Sequence, residues 1–180
     1  MADLNDPRVR YIRNGRDRRL IDSIRKSMQL FSNAVSWCTI LPGDDLLDRN
    51  FVVSMVDYVN RYPGTAFAHD HRLLIDAAGE RTGETLIPPE REIDVDYLVN
   101  KSRVIRQTFL TGVFFARPAY EQIGGYPQFA TGMASDDALI FALSLRNGLY
   151  FNREVIAANP LSSTGTRLGL GQQNNSLPWL

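Results

Sequence analysis

The stretch Trp37-Cys38-Thr39-Ile40-Leu41-Pro42-Gly43-Asp44-Asp45 joins a short apolar run to a Pro-Gly turn and two adjacent carboxylates. An apolar, β-branched run that ends in such a turn is typical of a buried strand. In open α/β sheets, ligands bind just beyond the carboxyl ends of buried strands. The stretch therefore predicts a strand that ends at a candidate ligand site, with Asp44 and Asp45 at its edge.

The carboxylates of Asp44 and Asp45 repel one another unless a cation or hydrogen-bond donors compensate their charges. A magnesium or manganese ion held by one or two carboxylates commonly takes its other ligands from water and substrate phosphates. The pair therefore indicates a nucleotide-linked substrate. A structural interpretation is equally open at this point: Asp45 caps a helix that begins near Leu46, and Asp44 lies favourably beside the helix dipole.

The composition limits the class of protein. A chain of 180 residues fits one domain that buries a core without disulfides or a structural metal. Its 20 basic and 20 acidic residues give a formal net charge of zero, so no global field attracts nucleic acid or acidic lipid. The single cysteine, Cys38, lies in an apolar run, which predicts a buried thiol and favours a reducing compartment. No apolar run reaches the length of a membrane span, and the first residues show neither a hydrophobic targeting region nor an amphipathic basic pattern, so we expect a soluble, cytoplasmic chain.

Two segments precede the carboxylate pair. Charged and apolar residues alternate from Arg8 to Arg13, which predicts a half-exposed strand, and apolar residues at helical spacing predict a helix from Arg18 to Val35. The basic residues of this region could contact phosphates, but a charge run of this kind is more often the solvated face of a helix. They are Arg13, Arg16, Arg18, Arg19, Arg25 and Lys26.

Beyond the carboxylates, the pattern predicts a helix from Phe51 to Asn60 and a strand from Thr65 to Asp76 that turns back in a hairpin at residues 77–80. The His-Asp-His run at 69–71 suggests a metal site. Side chains alternate along a strand, so the two histidines share one face and the aspartate lies on the other. No further ligand cluster is near in sequence, so a polar strand end is the favoured interpretation.

The second half of the chain repeats this alternation of strands and helices. Residues 81–95 contain two adjacent prolines and many charges, which predicts a surface loop. The tail beyond Pro160 has low complexity and is expected to be flexible or to dock on a partner. Between them we predict a short helix over 97–106, an apolar strand over 108–116, a helix over 117–123 ended by Gly124-Gly125, and a last strand over 149–158.

A second acidic pair, Asp136 and Asp137, lies at the predicted start of a helix, with Ser135 as a possible cap. Capping alone explains this pair. Two acidic pairs at the ends of loops are also the arrangement that two-carboxylate chemistry uses, in which one pair organises a metal ion and the other supplies a base.

The order of these segments carries a resemblance to a known family. Its features are Asp6 to Asn14, the helix that follows, Ile40-Leu41-Pro42-Gly43-Asp44-Asp45-Leu46-Leu47, Ile75-Asp76-Ala77-Ala78-Gly79, Ile123-Gly124-Gly125-Tyr126-Pro127, and Asp136-Asp137 through Gly148. Together they resemble the family 2 GT-A glycosyltransferases. Gly-Asp-Asp also occurs in polymerase palm domains, so the order and spacing carry the resemblance rather than any one motif.

The resemblance implies a Rossmann-like α/β fold, the three-layer sandwich of nucleotide-diphospho-sugar transferases, over residues 1–160, with 161–180 as a tail. It also implies a truncated amino terminus, because family members begin with a strand, helix and second strand that this sequence lacks. The arginine and asparagine of the family's next helix and its carboxyl-terminal metal-binding histidine have no clear counterpart either.

The resemblance assigns roles to particular residues. Asp44 and Asp45 take the place of the DXD motif, with Asp44 near the donor ribose and Asp45 on a manganese or magnesium ion that bridges the sugar diphosphate. Asp137 takes the place of the catalytic base and Asp136 that of the acidic residue before it. Gly124-Gly125-Tyr126 matches the segment that shapes the acceptor side of the cleft.

The function implied is inverting transfer of a sugar from a nucleoside-diphosphate sugar to a hydroxyl of a polysaccharide, lipid or protein glycan. The alternative is an inactive glycosyltransferase remnant that binds a partner or acceptor glycan. A polymerase palm is disfavoured because the acidic pair is expected to lead into a helix rather than a hairpin, and because a net charge of zero supplies no template-binding field. We further expect no nucleic-acid partner, a homo-oligomer formed through an open sheet edge, and a cytoplasmic chain or one peripheral to the inner membrane face.

Overall fold

A computed structural model describes residues 6–16, 19–32, 34–43, 45–76, 78–129, 134–145 and 148–160, the last six of these by their backbone only. The described residues form a mixed α/β fold, which confirms the predicted fold class at that level. In chain order, the elements are α1 (Leu20–Met28), β1 (Trp37–Thr39), β2 (Leu46–Leu47), α2 (Phe51–Arg61), β3 (Phe67–Ile75), β4 (Arg81–Glu84), β5 (Arg91–Glu92), α3 (Asp94–Ser102), β6 (Val113–Ala116), α4 (Arg117–Gln122), α5 (Ser135–Ser144) and β7 (Leu149–Pro160).

The sheet is mixed, with the strand order β1-β6-β3-β7-β2. The central strand β3 runs parallel to β7 and antiparallel to β6, and β6 is in turn antiparallel to β1. The short strands β4 and β5 pair with β3 and β7. Strand β1, which leads to the first acidic pair, therefore lies at an edge of this sheet and pairs with β6 alone among the described strands.

Helices cover both faces of the sheet because side chains alternate along its strands. Phe67 of β3 and Phe115 of β6 pack on one face, in a core cluster that takes residues from α1, α3, α4 and α5. Their neighbours Ala68 and Phe114 pack on the opposite face against α2. Every one of these four side chains is at most 4% exposed, so the sheet forms the middle of the core.

Several predicted elements differ from those observed. Residues 8–13 form no strand, and the first helix, α1, is shorter than the predicted range from Arg18 to Val35. The predicted surface loop over 81–95 contains β4 and β5, because its backbone finds partners in β3 and β7. The predicted strand over 108–116 is confirmed only for its last four residues, β6, because residues 108–112 pair with none of the described strands. The other predicted helices and strands are confirmed within a few residues, including the hairpin that joins β3 to β4.

The chain after the first acidic pair enters a strand, not a helix. Leu46 and Leu47 pair with Ala158 and Ala157 of β7, and the next helix begins only at Phe51. The prediction that Asp45 caps a helix near Leu46 is therefore wrong. A polymerase palm is disfavoured in the sequence analysis because the acidic pair is expected to lead into a helix rather than a hairpin. The helix is not observed at this position. The hairpin is not formed either, since β1 and β2 do not pair with each other and lie at opposite ends of the strand order.

Ser135 is likewise not the cap of its helix. It is the first residue of α5, and Ala134 occupies the N-cap position in a left-handed conformation with φ of 57°. The Ser135 hydroxyl is buried and has no hydrogen-bond partner among the described residues.

In the portion of the chain that the structure describes, none of the helices is long and apolar enough to cross a membrane. Cys38 is buried, as predicted, and its burial raises the pKa of the thiol.

Candidate active site

The first acidic position lies where the chain leaves β1 and its turn. The Thr111 hydroxyl donates a hydrogen bond to Oδ2 of Asp45, and the Asp45 backbone N–H donates to the Pro42 carbonyl oxygen at 3.3 Å. The second bond closes the predicted turn. Asp44 lies outside the described residues, so its predicted contact with the donor ribose stays a prediction.

The second acidic position lies on the first turn of α5. The Lys101 ammonium is 2.7 Å from Oδ1 of Asp137, and the Thr108 hydroxyl donates to the same oxygen at 3.4 Å. The Asp137 side chain is 37% exposed, so solvent or a ligand reaches it. Oδ1 of Asp136 accepts the Asp137 backbone N–H at 3.0 Å, and this bond orients the Asp136 carboxylate against the first turn of α5.

The Thr108 hydroxyl is the centre of a small polar cluster. It accepts a hydrogen bond from Lys101 at 3.0 Å and lies 3.0 Å from the Tyr97 hydroxyl. Because the Thr108 proton is directed to Asp137, the Tyr97 hydroxyl is the donor in this last contact. Burial raises the pKa of Tyr97 to about 12, so the phenol stays protonated near neutral pH and keeps that role.

One short segment therefore contacts both acidic positions. Thr111 contacts Asp45, and Thr108 contacts Asp137. Three residues of fully extended chain span at most about 11 Å, so the two threonine Cα atoms lie within that distance of each other. The segment from Thr108 to Thr111 is the structural link between the two acidic pairs that the sequence singled out.

A buried ion pair lies beneath this segment. Nε of Arg72 donates to Oδ1 of Asp70 at 2.9 Å, and both side chains are at most 4% exposed. The Arg72 guanidinium also lies 5.3 Å from the centre of the Phe109 ring, and the charge of Asp45 acts on it. Burial raises the pKa of Asp70 to about 6, although Arg72 opposes that shift, and Oδ2 of Asp70 has no hydrogen-bond partner among the described residues.

A second buried group anchors the start of the segment. Nε of Arg106 donates to Oε2 of Glu92 at 2.7 Å, and another Arg106 nitrogen donates to Nε2 of His69. Nδ1 of His69 then carries the proton and donates to the Asp70 carbonyl oxygen at 3.0 Å. Burial, reinforced by the Arg106 charge, holds the pKa of His69 well below its ordinary value. His69 is thus a neutral acceptor inside the sheet, and lies within β3 near its start, whereas the sequence predicted a polar strand end.

The segment predicted to shape the acceptor side lies beside the second acidic pair. Gly124 and Gly125 end α4 with φ of 82° and 86°, in the left-handed region that favours glycine. Tyr126 is buried, and its backbone N–H donates to the Tyr120 hydroxyl at 2.9 Å. Tyr126 packs in the same core cluster as Leu139 and Ile140 of α5, the helix whose first turn carries the second acidic pair. Burial raises the pKa of Tyr126, and the charge of Asp136 raises it further.

The metal-binding side chains among the described residues fit only a site that is built on a single carboxylate. In the described ranges, no three His, Cys, Asp or Glu side chains are grouped so that they could hold a metal ion. A single carboxylate nevertheless fits a magnesium or manganese ion that takes its remaining ligands from water and substrate phosphates. Asp45, which is half-buried, is the described side chain that could hold such an ion, and Arg72 is the neighbouring cation.

Sequence reasoning missed the residues that bind the two acidic positions. The sequence predicts only a short helix at Lys101 and only an apolar strand at Thr108 and Thr111, whereas both threonines lie in the loop before β6. One signal could have identified the threonines. Thr108 and Thr111 are the only residues with a hydroxyl group in the otherwise apolar run over 108–114. Lys101 offers no such signal, because its contact with Asp137 spans 36 positions.

Comparison with known proteins adds no relative to this description. No protein-family model matches the chain, and no curated protein matches it.

Proposed function

We propose that this chain is an inverting glycosyltransferase of the GT-A type, which transfers a sugar from a nucleoside-diphosphate sugar to a hydroxyl acceptor. The observation that supports the proposal is the contact of one segment, Thr108 to Thr111, with both acidic positions. A transferase of this type needs a carboxylate at the diphosphate and a second carboxylate at the acceptor hydroxyl, and these must be close together.

In the proposed mechanism, Asp45 would hold a divalent ion, which when bound would supply electrostatic stabilisation of the charge on the departing nucleoside diphosphate. Asp137 accepts the proton of the acceptor hydroxyl while the hydroxyl oxygen bonds to the anomeric carbon. The bond from that carbon to the diphosphate oxygen breaks, and its electron pair leaves with the nucleotide. A single displacement inverts the configuration through an oxocarbenium-like transition state.

Lys101 and Thr108 contact Oδ1 of Asp137, and in the described residues no partner contacts Oδ2. Oδ2 is therefore the atom we assign to proton acceptance. Thr111 orients the Asp45 carboxylate in a comparable way, through its bond to Oδ2.

The second candidate is an inactive relative that binds a glycan or a partner. The ion pair between Lys101 and Asp137 favours it, because a carboxylate held by an ammonium at 2.7 Å is also what a purely structural helix start would show. The two candidates differ in turnover, since a base is needed for transfer and not for ground-state affinity.

Calorimetry with manganese and a panel of nucleoside diphosphates tests the donor site. We expect Asp45→Asn to weaken manganese-dependent binding, while Asp57→Asn, an exposed carboxylate on α2, leaves it unchanged. Equal affinity of the Asp45→Asn variant and the wild-type chain would return Asp45 to a structural role.

A transfer and donor-hydrolysis assay with the matching nucleoside-diphosphate sugars tests the base. We expect Asp137→Asn to abolish turnover and to leave nucleotide affinity intact. Wild-type turnover by this variant would remove the assignment. Nucleotide binding without any turnover in the wild-type chain would favour the binding-module candidate.

We also propose that the chain forms a homo-oligomer through the edge of β1. In the described sheet β1 pairs on one side only, with β6. An unpaired strand edge presents backbone donors and acceptors in a row, which is a template for pairing with another chain.

A further inference from the structure

Residues 8–16 and 19–20 expose basic and apolar side chains that alternate along a short stretch of the chain. The arginines at positions 8, 10, 13, 16 and 19 are all exposed. The apolar side chains between them are exposed as well, at 50% for Val9, 76% for Tyr11, 42% for Ile12 and 66% for Leu20. We refer to these nine residues as the basic–apolar face.

The basic–apolar face is attached to helix α1. Nζ of Lys26 donates to Oδ1 of Asn14 at 2.9 Å, and Nη1 of Arg10 donates to the Leu30 carbonyl oxygen at 3.1 Å. Residues 10–14 therefore run back along the second half of α1. The exposed side chains lie on a supported surface, because both ends of this segment are bonded to the helix and its C-terminal turn.

Positive charge is concentrated in this part of the chain. Residues 8–26 contain eight arginines and lysines and two aspartates, which gives a formal charge of +6. Because the whole chain has a net charge of zero, the remaining residues carry −6. Among the residues that the structure describes, the ion pair on this face joins Arg8 to Asp6. The face is thus a local basic patch on a neutral protein.

We propose that the basic–apolar face docks on a lipid bilayer that carries anionic phospholipids. Arginines near such a surface are attracted by the negative headgroups, and aliphatic and tyrosine side chains enter the interface beside them. Nucleic acid would use the arginines but offers no site for exposed Val9, Ile12 and Leu20. The interleaving of exposed basic and apolar residues along this stretch therefore favours a bilayer. The docking does not depend on the glycosyl transfer proposed above.

Vesicle co-sedimentation of the full chain tests this proposal. We expect the wild-type chain to sediment with phosphatidylcholine vesicles that contain about a third phosphatidylglycerol, and not with phosphatidylcholine alone. Replacing Arg10, Arg13 and Arg16 with glutamine should weaken binding about a hundredfold, at about fivefold for each arginine near the surface. The control replaces Arg49, Arg61 and Arg103, three exposed arginines elsewhere, and should bind as the wild-type chain does.

A second pair of variants tests the apolar contribution. Tyr11→Ser with Ile12→Ser should lower vesicle affinity at constant charge, whereas Leu86→Ser with Ile87→Ser, at a similarly exposed site, should not. Circular dichroism checks that all variants remain folded.

Three results would overturn the proposal. The first is a wild-type chain that does not sediment with anionic vesicles, and the second is an equal loss of binding in the control arginine variant. The third is unchanged affinity in the Tyr11 and Ile12 variant, which would reduce the contact to charge alone. Binding to single-stranded RNA with no binding to vesicles is one form of the first result, and it would assign the face to nucleic acid.

Discussion

Replacing Gly112 with alanine should destabilise the protein far more than replacing a comparable glycine in a turn. Gly112 has a φ of 74°, and a Cβ built there would overlap the carboxylate of Asp70. Asp70 cannot move into solvent, because it is fully buried and paired with Arg72. Gly79 has a φ of 85° with nothing within 4 Å of its would-be Cβ, so Gly79→Ala is the matched control.

The two substitutions share the backbone strain of an L-residue in the left-handed region, about 1–2 kcal/mol. Gly112→Ala also displaces Asp70 from Arg72, and breaking a buried ion pair costs about 3–5 kcal/mol. The expected losses are therefore about 4–7 kcal/mol for Gly112→Ala and about 1–2 kcal/mol for Gly79→Ala. A domain is stable by about 5–15 kcal/mol, so the first loss removes a large part of the total.

Urea unfolding monitored by circular dichroism measures both variants. With a slope of about 2 kcal/mol per molar urea, the midpoint should fall by about 2–3.5 M for Gly112→Ala and by about 0.5–1 M for the control. In an Asp70→Ala background the overlap is absent, so Gly112→Ala should then cost about as much as Gly79→Ala does. Equal losses for the two single variants in the wild-type background would refute this account of the contact between Gly112 and Asp70.

Three further predictions follow from buried charge and from the sheet edge. Arg106→Ala should lower the free energy of unfolding in urea by about 3–5 kcal/mol because it leaves Glu92 buried and unpaired. Arg81→Ala, at a surface ion pair, should lower it by less than about 1 kcal/mol. Similar losses in the two variants would contradict the burial of the pair between Arg106 and Glu92. Burial raises the pKa of Asp70 from 3.8 to about 6, so the stabilising contribution of Asp70 is present below pH 3.8 and is lost as the pH rises to about 6. The free energy of unfolding of the wild-type chain should therefore fall by about 3 kcal/mol over that range relative to that of the Asp70→Asn variant. Parallel pH profiles of the two proteins would disprove the shift. Light scattering should show concentration-dependent association through the β1 edge, and a monomer at every concentration would rule that out.

The sequence determined the local elements and the positions of the two acidic pairs. Apolar residues at a spacing of two or of 3.6 place one side of a segment in the core, and that pattern is complete within the segment itself. Helix α2, strand β3 and the glycine-ended helix α4 were predictable for this reason. The acidic pairs were visible because one follows a predicted strand and its turn, and the other lies at the start of a predicted helix.

The tertiary structure decided what each of those segments contacts. Leu46 and Leu47 form a strand and not a helix because β7, more than a hundred positions later, supplies backbone partners. His69 is a buried acceptor because Arg106 reaches it from another segment. Asp137 meets Lys101 and Thr108 for the same reason. Contacts of this kind depend on the order of strands in the sheet and on which way each side chain points, and neither is encoded within a window of neighbouring residues.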